Sequence, residues 1–372
     1  MTEKSSQGLQ QVIGQRVRFL REEAGWTQAG LSRRLGFKDR QTLSMIEAGQ
    51  RRVSADELVA LMELFGQDVE FFTDPTLLVG EGVVSWRASM ETEPALLDAQ
   101  EPRIRRLVGL YRHLARQAGQ VFPVLVDQLP LDRKSSFEQA AALAERLVDD
   151  WELGTVPARR LREECEERLD MLTFYLEFPK GISGAALRLP ELGAVAINRN
   201  ESPGRKNFDF THEVFHLLTW QTLPPERIDD MRGKGTKARR VEQLANTFAS
   251  ALLMPEPAVR DAWEKRSEFS DRLDWFDRTA EMFQVSAQAL FYRLKNLDID
   301  TSEVPEAQLS NLGYRDQPEG EPPFPYRFVD LLRAAIEQGK ISVRNVARNL
   351  ECTLDELAEL FRRYGMFAPF EL

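Results

Sequence analysis

The chain has 372 residues, of which 42% are hydrophobic and 29% charged, and a formal net charge of −10. That length exceeds what a single hydrophobic core usually serves, and that composition excludes a disordered chain. The polar start Met1–Gln7 lacks a leader pattern and no apolar run could span a bilayer. Two isolated cysteines, Cys165 and Cys352, exclude a disulfide framework or a Cys-based zinc site, so a reduced, cytoplasmic protein of two or three domains is expected.

Ile13 to Phe71 reads as a succession of short helices: one with Ile13, Val17 and Leu20, another from Thr27-Gln28, a third near Gln41–Glu47, and a fourth from Ala55 to Phe65. Ser54-Ala55-Asp56-Glu57 is a capping box that fixes the start of the fourth. Gly25, Gly36, Gly49 and Gly66 punctuate the helices. Basic residues concentrate here (Arg16, Arg18, Arg21, Arg33, Arg34, Lys38, Arg40) although the whole chain is acidic. Compact basic helices suit a helix-turn-helix on DNA, and the contrast in charge assigns any nucleic-acid contact to this segment.

Residues 76–100 are polar and rich in turns, with one apolar patch from Leu77 to Trp86, and are expected to connect two domains. Helices are expected over Glu101–Gln120 and over Phe137–Trp151, the second opened by the capping box Ser135-Ser136-Phe137-Glu138. Strands follow at Met171–Phe178, Ala185–Leu189 and Ala194–Asn198, the last two joined as a hairpin by Leu189-Pro190-Glu191-Leu192-Gly193. The middle of the chain is therefore α+β, with a small sheet whose edge strand could hold an extended peptide.

His212-Glu213-Val214-Phe215-His216 lies in a stretch with helical apolar spacing and no Gly or Pro from Asn207 to Leu223. Histidines four residues apart stand nearly above one another on a helix, so both rings can reach one ion. Glu213, about 100° around the axis, borders that ion without ligating it, the position of a general base. A catalytic zinc takes three protein ligands, and the third candidate is Glu242. It opens the run Val241 to Met254 on a stripe with Ala245 and Ala249, small enough to let that helix come close. The bland alternatives are two surface histidines, and a Glu242 that merely favours the positive end of its helix. His113, alone in a basic amphipathic stretch, is read as a surface residue.

After Asp298 the chain turns polar and proline-rich, notably over Asp316–Pro323, and 299–325 reads as a linker. Helical periodicity returns from Phe328 to Tyr364, with a capping box at Thr353-Leu354-Asp355-Glu356. This tail is either a second helix-turn-helix-like unit or, as favoured here, a packing or dimer element.

Two family resemblances rest on these residues. Arg18-x-Leu20-Arg21-Glu22-x-x-Gly25-x-Thr27-Gln28-x-x-Leu31 and Leu43-Ser44-x-Ile46-Glu47-x-Gly49-x-Arg51 resemble the lambda-repressor-like (XRE) helix-turn-helix family. The resemblance implies a recognition helix near Arg40–Glu47. Gln28, Arg40, Gln41, Thr42, Ser44 and Met45 would then face the major groove, and Arg51 and Arg52 the phosphates. The stretch Lys38-Asp39-Arg40-Gln41-Thr42 is one residue longer than the family's usual turn.

Gly181-Ile182-Ser183-Gly184, Ala194 to Asn198, Arg205, Phe208, His212-Glu213-x-x-His216, Glu242-x-x-Ala245-Asn246-x-Phe248-Ala249 and Leu252-Leu253-Met254-Pro255 resemble the ImmA/IrrE metallopeptidase family over about 135–298. The resemblance implies a zincin-like site with His212, His216 and Glu242 on zinc and Glu213 catalytic, and cleavage of repressor proteins. Phe215 stands where the family usually has Gly, and Thr211 replaces another small residue. The Phe215 ring must either point into the core or narrow the substrate cleft.

The sequence thus leads to a multidomain protein. An all-α helix-turn-helix domain (1–75) and a linker (76–100) precede an α+β zincin-like metallopeptidase domain with a small sheet (101–298). A second linker (299–325) and an α-helical C-terminal region (326–372) follow. The expected function is a DNA-binding transcriptional regulator with a zinc-dependent endopeptidase, manganese being the other candidate metal. Its partners would be a double-stranded operator and a repressor or partner protein, with no membrane and with homodimerisation suggested by operator symmetry. The alternative is a non-catalytic, antitoxin-like or autorepressing regulator whose zinc domain senses a ligand or partner.

Overall fold

The computed structural model describes residues 3–89, 91–126, 128–225, 237–269, 271–301, 306–309 and 320–371. They form two compact units, one of Met1–Glu81 with Arg105–Gln120 and the other of Gly82–Ile104 with Val121–Leu372. Each has its own core.

The first unit is helical: α1 (Glu3–Glu23), α2 (Gln28–Arg34), α3 (Arg40–Glu47), α4 (Ala55–Phe65) and α5 (Val69–Thr73). Ile13, Val17 and Leu20 recur at helical spacing on α1 and bury against Leu31, Leu43, Ile46, Leu61 and Phe72. Starts are fixed locally, by Thr27 accepting from Gly30 N, Asp39 from Thr42 N, and the Ser54–Glu57 capping box. Gly14 is obligatory because a Cβ there would collide with the backbone oxygen of Ile46, so α1 and α3 cross at backbone contact. A buried ion pair reinforces that crossing, with Arg21 Nε 2.5 Å from Glu47 Oε1.

The second unit is built on a four-stranded sheet of β1 (Val83–Ala88), β2 (Leu172–Leu176), β3 (Ile182–Arg188) and β4 (Gly193–Asn198), in the order β1-β3-β4-β2. The expected hairpin is β3–β4, closed by Leu189 N to Leu192 O at 2.9 Å. β2 runs parallel to β4, and β1 antiparallel to β3. Every residue of β2, β3 and β4 is buried, which is why they read as near-continuous apolar runs rather than alternating ones.

The helices of this unit include α6 (Pro94–Gln117), whose later turns belong to the first unit, α7 (Phe137–Asp150) and α8 (Leu161–Arg168). After the sheet come α9 (Pro203–Leu218), α10 (Lys237–Leu253), α11 (Glu256–Glu264), α12 (Arg272–Phe283), α13 (Ala287–Asn296) and α14 (Glu306–Leu309). α9 packs across β3 and β4, and α10 packs on α9 and α7. Arg293 locks the end of α10 in place, donating to Met254 O at 2.9 Å and to Glu145 at 2.6 Å.

The stretch 76–100, expected as a connection, instead supplies the edge strand β1 and the first turns of α6. Its pattern hid this: Val84, Ser85 and Trp86 are all buried, and Arg87 is satisfied by an acidic partner on α9 that only the tertiary fold supplies. The linker expected over 299–325 falls largely outside the described residues. Its end does not hang free, since Pro323 O accepts from Tyr175 N of β2 at 2.9 Å. The C-terminal helices are α15 (Tyr326–Glu337), α16 (Val343–Leu350) and α17 (Leu354–Arg363). Phe324 and Phe328 set their rings edge-on to Phe174 of β2 at 6.0 and 5.9 Å. No helix among the described residues is long and apolar enough to cross a membrane.

Candidate metal centre

α9 starts at Pro203, suited to a first helical position because its missing N–H is unneeded there. Gly204 follows, where a Cβ would collide with the backbone at Val285. From Asp209 to Leu218 the helix is buried all round, so its polar residues must find partners inside the protein. Spaced four apart, His212 and His216 bring their Nε2 atoms to 3.1 Å. Glu242 of α10 completes a triangle, its Oε2 lying 3.0 Å from His212 Nε2 and its Oε1 3.3 Å from His216 Nε2. Fully buried Ala245 and Ala249 let α10 come this close.

The donor set fits a divalent cation. Metal bonds of about 2.0–2.1 Å at tetrahedral angles would set ligand atoms roughly 3.3–3.4 Å apart, close to the three separations found. Lone pairs of two imidazoles and a carboxylate converge, an arrangement that a bound cation would relieve. Burial, aided by Arg87, pushes His212 down to about 3 and keeps its ring neutral, the ligating form. Burial opposes charge on His216 as well, but Glu242 outweighs it and holds that ring above its ordinary value. Glu242, although burial works against its charge, is held well below the usual carboxylate range by the two rings. His212 Nδ1 lies 3.0 Å from Asn246 Oδ1, so its Nδ1–H is engaged and Nε2 is left to ligate.

Glu213 is 1% exposed, and burial raises its pKa to about 7. Its Oε2 has no hydrogen-bond partner among the described residues. A buried carboxylate oxygen left unmatched beside converging ligands is available to water or a proton. A cleft of about 860 Å³ reaches the neighbours of this site, lined in part by Arg87, Phe208, Asp209, Asn246, Ser250 and Tyr292, while His212, Glu213, His216 and Glu242 lie behind its lining. Phe215 does not line it: the ring is fully buried, 5.4 Å from Phe248, so the residue anticipated as a possible obstruction is a core residue.

Of the polar neighbours, Asn246 stood in the quoted motif without a role and Arg87 was not named at all. Asn246 had a readable signal, one helical turn beyond Glu242 on the same face. Arg87 had none.

In the first unit, α2 and α3 take the places expected of the motif's two helices. Gln28 Nε2 donates to Glu47 Oε2 at 2.9 Å while its Oε1 accepts from Arg40 Nε at 3.1 Å, so Arg21, Glu47, Gln28 and Arg40 form one chain of contacts. Arg40 and Gln41 are exposed; Thr42, Ser44 and Met45 are half-buried. Arg52 is exposed, but Arg51 is gripped by Glu57 through two bonds of 2.9 and 2.8 Å, which engages the guanidinium expected at a phosphate.

Fold and donor set together define a two-part protein, a helix-turn-helix unit and an α+β unit with a cation-type site. Residues 17–72 match the helix-turn-helix family model and residues 166–295 that of the IrrE N-terminal-like domain, so the chain joins a helix-turn-helix segment to an IrrE-like domain. The HTH-type transcriptional regulator RamB of Mycobacterium tuberculosis is 25% identical over 327 residues, covering 77% of this chain and 65% of its own length. The radiation response metalloprotease IrrE of Deinococcus radiodurans is 32% identical over 107 residues, 28% of this chain and 31% of its own. The chain thus spans just under two thirds of the first relative and under one third of the second.

Proposed function

We propose that the protein is a DNA-binding transcriptional regulator carrying a zinc-dependent endopeptidase that cleaves a repressor or partner protein. The observation that carries this reading is the triangle of His212, His216 and Glu242 with the unmatched carboxylate oxygen of Glu213 beside it. Two imidazoles and one carboxylate favour zinc over manganese, which prefers more oxygen donors. Such an ion, when bound, supplies Lewis acidity that acidifies water and polarises a carbonyl.

The chain's own groups do the rest. Glu213, with its proton affinity raised by burial, takes a proton from the attacking water and returns it to the leaving amine nitrogen as the C–N bond breaks. β1 has an outer edge unpaired among the described residues, onto which an extended peptide can add as a strand. The helix-turn-helix unit supplies the operator contact through Arg40, Gln41 and their neighbours, and action on DNA places the protein in the cytoplasm.

The test is Glu213→Gln in the full chain, assayed on candidate repressors encoded beside its gene. Zinc content should match the parent and cleavage should stop. Equal cleavage by parent and variant refutes the peptidase. Equal inertness of both, in the tube and in cells, supports the non-catalytic, sensing regulator.

A further inference from the structure

We propose that Arg87 is the electrophile of this site, donating to the carbonyl oxygen of the bound peptide as negative charge develops there, an assignment that rests on the peptidase reading above. Arg87 lies on β1, outside the residues that match the IrrE-like family model. Its Nε donates to Asp209 Oδ1 at 2.5 Å, and its guanidinium carbon sits 5.8 Å from the centre of the Phe208 ring. Nη1 and Nη2 make no hydrogen bond among the described residues, and the side chain, 23% exposed, lines the cleft. The guanidinium is thus anchored at one end and presents two charged N–H edges to whatever occupies the cleft.

Its position relative to the reacting groups follows from the helix. Asp209, Glu213 and His216 recur at i, i+4 and i+7 along α9, one face of that helix, so a group tied to Asp209 stands over the same face as the base. Asn246, the partner of His212, lines the same cleft.

Amide hydrolysis forms a bond from water oxygen to the carbonyl carbon, breaks the C–N bond, and moves one water proton by way of Glu213 to the amine. Charge accumulates meanwhile on the carbonyl oxygen, and a donor fixed beforehand in a water-poor site is what lowers that barrier. Arg87 acts through hydrogen bonds and takes no part in that proton transfer. Other candidates in the cleft are less suited. Tyr292 donates to Glu306, and Arg205 is divided between Glu201, Asp209 and Ser183.

The competing explanation is that Arg87 only neutralises Asp209, which is 1% exposed. The test compares the zinc-loaded full chain with Arg87→Met, Arg87→Lys and the double variant Arg87→Met/Asp209→Asn. Readouts are zinc stoichiometry, thermal midpoint, and calorimetric affinity for N-phosphoryl-leucyl-tryptophan, a tetrahedral anion resembling the hydrolytic intermediate. The expected result is unchanged zinc, with probe affinity lowered by about 10²–10³-fold in Arg87→Met and in the double variant, and partly recovered in Arg87→Lys. Parent-like affinity in Arg87→Met overturns the assignment. So does its return in the double variant, which would leave Arg87 a neutralising role alone, and so does failure of the zinc-loaded parent to bind the probe. Because this readout needs no turnover, it decides the role of Arg87 even where parent and Glu213→Gln prove equally inert, the outcome that defeats the peptidase itself.

Discussion

Replacing Asn246 by alanine removes the acceptor 3.0 Å from His212 Nδ1. The amide oxygen fixes the tautomer, keeping the proton on Nδ1 and the lone pair of Nε2 turned toward His216 and Glu242. Loss of such an outer partner typically costs 10–100-fold in metal affinity, or about 1.4–2.7 kcal/mol. The structure decides where in that range the effect falls. His212 is 1% exposed and packed, so its ring stays in place, while Asn246 is exposed, so water can take over its role. The expected loss is therefore near the tenfold end. Competition for zinc between the metal-free chain and a chromogenic chelator, at neutral pH, measures it. Parent-like affinity would show that packing alone orients His212 and would refute the reasoning; loss of the folded state would show that Asn246 holds α10 in place instead.

Further outcomes follow from the packing and the charges. Phe215→Ala should destabilise the α+β unit by about 3–5 kcal/mol in urea unfolding, because the ring is fully buried against Phe248; a near-neutral result would mean that the ring faces the cleft after all. In the helix-turn-helix unit, Glu47→Ala takes the closer carboxylate from Arg21, leaving it Glu22 and the Trp26 carbonyl oxygen, and releases Gln28. A loss of about 1.5–3 kcal/mol in that unit, with weaker binding to DNA, is expected. On nonspecific duplex, Arg52→Ala should flatten the dependence of log affinity on log salt by about 0.9, while Arg51→Ala, whose guanidinium Glu57 already holds, should flatten it less. Equal slopes for the two would show that Arg51 leaves Glu57 to reach a phosphate. Burial raises the thiol of Cys165 well above its ordinary value and that of Cys352 to about 11. At neutral pH maleimide should label Cys352 slowly and Cys165 only on unfolding, and rapid labelling of both would contradict the packing.

What the chain order alone determined is whatever depends on neighbours within one helix or hairpin. The spacing of His212, Glu213 and His216, the caps at Ser54 and Thr353, and the β3–β4 hairpin are set by 3.6-residue and two-residue periods and by turn chemistry. The approach of Glu242 was legible as well, since small residues at 245 and 249 on its stripe implied close packing of two helices.

What only the tertiary structure decided is what charged and aromatic side chains do when their partners are far away in sequence. Arg87 lies in a segment that reads as a connection until pairing with β3 makes it a strand and Asp209, more than a hundred residues later, takes its charge. Phe215 reads as a possible obstruction until Phe248 draws it inward. In each case the local pattern permits two orientations. Burial against a distant partner selects one of them, because an unmatched charge or an exposed ring would cost more than the contact that removes it.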